Sequence, residues 1–85
     1  MYVHLGGNVV IPGSDIIAII DINFKEIPDD TLQFLKISDE EGFIVNISEE
    51  KPKSFIITEK NKKSVIYLSP VSSYTISKRM RKQIN

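Results

Sequence analysis

Apolar positions recur every second residue at the start of this chain and every fourth residue at its end. In the opening Tyr2-Val3-His4-Leu5, Val3 and Leu5 fall on one face of an extended strand, Tyr2 and His4 on the other. Gly6, Gly7 and Asn8 offer the positive-φ residues of a tight hairpin, and Val9-Val10-Ile11 reads as the returning strand. Pro12, Gly13 and Ser14 predict the next turn. The stretch DIIAIIDI (residues 15–22) then carries β-branched residues on both faces, the composition of a central strand. A short buried helix is the alternative, but the run Ile16 to Ile20 shows no helical stripe.

A helix is predicted next. Pro28 suits a first turn, and Asp29 and Asp30 complement the positive N-terminal end of a helix dipole. Thr31, Phe34, Leu35 and Ser38 share one face with Leu32 beside it, and Gly42 terminates the helix after the acidic SDEE. FIVNI (43–47), KSFIIT (53–58) and SVIYLS (64–69) read as strands. Between the last two, Asn61 takes the left-handed conformation that a hairpin loop needs.

The last segment is the clearest helix. Ser72 is a natural N-cap, and Val71 can contact Ile76 as a hydrophobic staple. Ile76, Met80 and Ile84 follow at i, i+4 and i+8, while Lys78, Arg79, Arg81 and Lys82 spread over the opposite arc. The whole pattern predicts one α+β domain over residues 1–85. It comprises a small, mostly antiparallel β-sheet of about six strands, a middle helix and a C-terminal amphipathic basic helix.

Length sharpens this picture. A domain of 85 residues buries only about 60–65% of the surface its unfolded chain exposes. The chain has no cysteine, so neither disulfides nor a thiolate metal site can add stability. Self-association could. The start lacks the basic and apolar regions of a signal peptide, and no apolar run would cross a bilayer, so a soluble cytoplasmic protein with no membrane partner is expected.

The net charge is zero, but its distribution is uneven. Residues 1–50 hold two basic side chains against ten acidic ones, and residues 51–85 hold nine basic against one acidic, Glu59. Such asymmetry points to nucleic acid, an acidic partner or assembly between unlike surfaces, unless the halves interleave in the fold and cancel.

Catalytic machinery is thin. His4 is the only histidine, and without a second histidine or a cysteine a transition-metal site would need several suitably spaced carboxylates. LGGN lacks the context of a phosphate loop, and a hairpin turn explains it better. The acidic SDEEG lacks the alternating ligands of a calcium loop and reads as a solvated helix end. No catalytic residue, metal, cofactor or small-molecule substrate is therefore expected.

The basic clusters speak louder: Lys51 with Lys53 before a strand, Lys60, Lys62 and Lys63 around a hairpin tip, and Lys78, Arg79, Arg81 and Lys82 on the last helix. Together they could form one phosphate-neutralising surface. Lysine outnumbers arginine seven to two among them, which favours phosphate attraction over bidentate base reading. Lysines at loop tips also simply keep a small protein soluble.

MYVHLGGNVVI and DIIAIIDI at the front, with KPKSFIIT and VIYLSPVSSYTISKR behind, resemble the small bacterial extracellular-matrix regulators of the Rem type. The likeness is closer to the RemB branch than to the RemA branch. It covers nearly the whole chain, although residues 23–48 match only as a helix followed by a strand. The resemblance implies a cytoplasmic regulator of biofilm-matrix genes. It also implies kinship with the RemA branch, whose members activate transcription, bind DNA and assemble into rings around which DNA bends. In that branch an arginine-rich stretch before a VII-type strand contacts DNA. Carried over, Lys51 and Lys53 match basic positions and Glu50 replaces one, while Asp15 stands where a further arginine precedes an LIAI strand.

Two functions are thus expected in competition. One is a DNA-binding transcriptional regulator acting as a homo-oligomer, a ring, through phosphate contacts. The other is an oligomeric interaction module that binds no DNA and joins its acidic and basic halves in protein assembly.

Overall fold

Glycine reverses the chain between β1 (Tyr2–Gly6) and β2 (Val9–Pro12): Gly6 has φ +120° and Gly7 φ +54°. The computed structural model describes residues 1–22 and 27–81. In it Val3 pairs with Ile11 and His4 with Val10, so the period-two pattern of β1 places Val3 and Leu5 inside and Tyr2 and His4 outside, as the alternation predicts.

A 3₁₀ turn at Gly13–Asp15 leads into β3 (Ile16–Asp21), followed by α1 (Asp29–Glu40), β4 (Ile44–Asn46), β5 (Ser54–Lys60), β6 (Lys63–Ser69) and α2 (Ser73–Arg81). The strands divide between two sheets. β1 and β2 form a separate ribbon, and the main sheet runs β3-β5-β6-β4, antiparallel except where β4 lies parallel to β6.

The apolar run at Ile16–Ile20 does not occupy the centre its composition suggests; β3 is an edge strand bonded to β5 alone. Its two apolar faces have unlike surroundings. One face joins the core, and on the other Ile20 only borders an open cleft beside Pro28, Thr31 and Phe55. Ile16 and Ile19 pack on the side of the ribbon and α2, whereas Ile17, at a register shift, stays 61% exposed.

One layer is the core proper. Val3, Leu5 and Ile11 of the ribbon meet Ile56 of β5 and Ile76 of α2, with Val71, Tyr67 and Met80 around them. Fully burying each such side chain contributes about 1.5–3 kcal/mol. The α2 helix reaches this core as its sequence predicts: the Thr75 amide donates to Ser72 Oγ at 3.2 Å, and Val71 and Ile76 join the same cluster.

The opposite face, with Phe55 and Ile66 buried, lies towards α1. Gly42, at φ +78°, follows the helix end. Ser38 is buried and donates to the Phe34 carbonyl at 2.8 Å, but Phe34 is 44% exposed and Leu32 48%. The expected inner face of α1 is therefore only partly closed. Among the described residues no helix is long and apolar enough to cross a membrane.

Candidate nucleic-acid interface

The β5–β6 hairpin builds the first basic cluster. Its two-residue loop places Asn61 at φ +51° and Lys62 at φ +66°, the doubly left-handed turn that suits strand twist. Asn61 was legible from sequence; Lys62 was not, since lysine seldom adopts that region. The turn brings Lys60 opposite Lys63 as cross-strand partners. Like charges at such a pair repel, and a bound anion would relieve them. Below them lies a cleft of about 350 Å³ lined by Ile11, Thr58, Val65 and Tyr67, with Asp15 at its wall. Asp15 thus supplies a carboxylate beside the hairpin lysines.

Lys51 and Lys53 occupy the far end of the sheet. The Lys53 backbone is pinned on both sides, its amide donating to the Ser69 carbonyl at 2.8 Å and its carbonyl accepting from Ile22 at 2.9 Å. Both side chains are exposed. Glu50, beside them, donates its amide to Ser48 Oγ at 2.9 Å. From Ser54 to Lys60 the strand covers roughly 20 Å at 3.3 Å per residue, which exceeds the Debye length of about 8–10 Å. The two strand clusters thus stand at opposite ends of β5, far enough apart that their fields overlap little at moderate salt. For the same reason Asp15 and Glu50 lie at opposite ends of the sheet.

On α2 the expected arc splits. Lys78 and Arg81 are exposed, but Arg79 is half-buried and donates from Nη1 to the His4 carbonyl at 2.8 Å. That bond straps the helix to β1. Lys82 lies outside the described residues. His4 is exposed and its Nε2–H donates to the Gly7 carbonyl at 2.8 Å, across the hairpin turn. Among the described residues no group of three or more histidine, cysteine or carboxylate side chains is placed to hold a metal ion.

Pattern reading missed a buried serine pair. Ser54 and Ser69 are cross-strand partners and wholly buried, Ser54 Oγ donating to the Val71 carbonyl at 2.7 Å and Ser69 Oγ to the Leu5 carbonyl. The available signal was the motif Ser69-Pro70-Val71-Ser72, whose first serine also accepts the Val71 amide at 2.9 Å.

The sequence profile of the RemA-like family, described as Extracellular matrix regulatory protein A-like, matches residues 2–80. The chain is also 37% identical over 79 residues to Extracellular matrix regulatory protein B of Bacillus subtilis (strain 168), an alignment covering 93% of this chain and 89% of that protein.

Proposed function

Because this chain belongs to the RemA-like family of extracellular matrix regulatory proteins, we propose that it is a cytoplasmic, DNA-binding transcriptional regulator of matrix genes, acting as a homo-oligomer, in ring form, through the phosphate backbone. The observation that carries the reading is the exposure of Lys51, Lys53, Lys60, Lys62 and Lys63 at the two ends of one sheet. Two small clusters on one subunit neutralise few phosphates. Repeated around an oligomer they become a ladder of cations, and affinity rises with each phosphate neutralised.

Lysine ammoniums attract phosphate without reading base edges, so selectivity in this scheme comes from how readily the duplex bends. Asp15 and Glu50 moderate the field at each cluster, which weakens binding by a single subunit and makes the repetition around an oligomer matter more. Electrophoretic mobility shift over a salt series tests the reading, using wild-type protein and Lys51→Glu/Lys53→Glu. Steep salt dependence and weaker binding by the variant are expected. Affinity indifferent to both changes would remove this surface from DNA recognition.

The reading as an interaction module without DNA rests on a different observation, the exposed apolar and acidic surface around α1. An oligomer that retains no duplex at low salt would favour it.

A further inference from the structure

An apolar groove of about 380 Å³ opens between α1 and the main sheet, lined by Phe34, Ile37 and Phe43 above and by Ile57 and Ile66 below. Phe34, Ile37 and Phe43 are each between 44% and 49% exposed, so the groove stands open to water. The charges near it are mainly acidic, with Lys36 as the exception beside the groove residue Ile37. Asp39, Glu40 and Glu41 fill the chain between its Ser38 and Phe43 walls. Glu59, the one acidic residue of the basic half, lies on the same strand face as Ile57, and its cross-strand partner Ser64 is a groove residue. Lys36, the cation of α1, and Glu40 both line the shallow cleft on the other flank of Ile37, so Lys36 offsets Glu40 there and the net acidic charge comes from Asp39, Glu41 and Glu59.

The complement stands on α2. At 100° per residue, Tyr74, Lys78 and Arg81 fall within one narrow arc opposite the buried Ile76. Tyr74 is 68% exposed, the most exposed large apolar side chain among the described residues, and Lys78 and Arg81 flank it in the open. The hairpin lysines, by contrast, border a cleft whose aromatic, Tyr67, is half-buried against the core.

We propose that the outer face of α2 in one copy docks into the α1 groove of a second copy, Tyr74 covering Phe34, Ile37 and Phe43 while Lys78 and Arg81 meet Asp39, Glu40, Glu41 and Glu59. This deepens the homo-oligomeric part of the function proposed above and rests on it. The two surfaces differ, so the contact is heterologous and repeats head to tail, closing a ring or extending a filament. An aromatic anchor flanked by charges is what the centre of an interface favours. The assignment also divides the basic residues. Lys78 and Arg81 serve assembly, and phosphate is left to Lys51, Lys53 and the hairpin lysines.

Reciprocal charge reversal tests it by multi-angle light scattering. Lys78→Glu/Arg81→Glu and Asp39→Lys/Glu40→Lys/Glu41→Lys each change only exposed side chains, and circular dichroism checks that both variants fold. Each alone is expected to run as a monomer. An equimolar mixture is expected to regain the wild-type mass, because every acidic helix face then meets a basic groove and every basic face an acidic one. Tyr74→Ala should raise the concentration needed for assembly by tenfold or more. Variants that keep the wild-type mass, or folded variants that fail to reassemble on mixing, overturn the proposal. So does loss of duplex binding by Lys78→Glu/Arg81→Glu at unchanged mass, which would give the α2 face to DNA. Wild-type protein supplies a check independent of folding. At about 1 M salt, where the Debye length is near 3 Å, its mass should fall, and an unchanged mass sinks the docking. The mobility shift at low salt is scored separately, so failure of DNA binding is distinguishable from failure of this interface.

Discussion

The hydroxyl of Ser69 donates a hydrogen bond to the carbonyl of Leu5, joining two wholly buried residues 64 positions apart in the chain. The same oxygen accepts the Val71 amide, so a single side chain ties the ribbon, the last strand and the approach to α2. Among the described residues no buried side-chain nitrogen or oxygen lacks a partner. Ser69 sits where losing one would matter most.

Ser69→Ala is expected to strand the Leu5 carbonyl and the Val71 amide, at about 1–3 kcal/mol each, for a combined loss of roughly 2–6 kcal/mol in urea denaturation. Ser38→Ala is the control. Its hydroxyl only back-bonds to the Phe34 carbonyl one helical turn away, and such bonds add little, so the change should stay within about 0.5 kcal/mol. Equal losses at the two serines would contradict the tie.

Gly6 and Gly42 differ in both backbone and steric cost, since Gly6 at φ +120° lies further from the left-handed region than Gly42 at φ +78°. Both have positive φ, but a Cβ at Gly6 would lie 3.2 Å from Val71 Cγ2, whereas at Gly42 nothing lies within 4 Å. Gly42→Ala should cost about 1 kcal/mol from backbone conformation alone. Gly6→Ala adds overpacking of about 1–3 kcal/mol and should be clearly worse. Thermal melts of the two variants decide it.

Lys62 sits at φ +66° within the hairpin turn. Lys62→Gly removes that strain and should stabilise the fold by about 0.5–1 kcal/mol while deleting one cation. A gain in melting temperature together with weaker DNA retention would show that this lysine is kept for binding rather than for folding.

Removing phosphate contacts should flatten the salt dependence in proportion. For Lys51→Ala/Lys53→Ala, the slope of log K against log salt is expected to become shallower by about 1.8 for each subunit that touches the duplex, from roughly 0.9 per phosphate released. Titrations between low and moderate salt check this. A parallel shift with an unchanged slope would mean that these lysines act on stability or assembly instead.

By itself the sequence determined the local structure. Gly6 and Gly7, Asn61, the Ser72 cap and the Val71–Ile76 staple each act within a few residues, through turn geometry or one hydrogen bond, and each formed where the pattern placed it. The RemA-like kinship, too, was legible from MYVHLG and YLSPVSS. Which elements meet is set by packing across the chain. β3 carries the composition of a centre yet lies at an edge, because strand order is chosen by which faces bury together; Ile16 and Ile19 reach the core while Ile17 and Ile20 stay exposed. Arg79 reads as one of four equivalent helix cations, but the carbonyl of His4 comes within reach only when α2 packs on the ribbon. The three basic clusters all fall in the second half of the sequence, but in space two stand at opposite ends of a sheet, since a strand of seven residues holds its ends apart, and the third lies on α2. Local preference sets the elements; burial between residues far apart in the chain sets their neighbours, and with them the surfaces left for a partner.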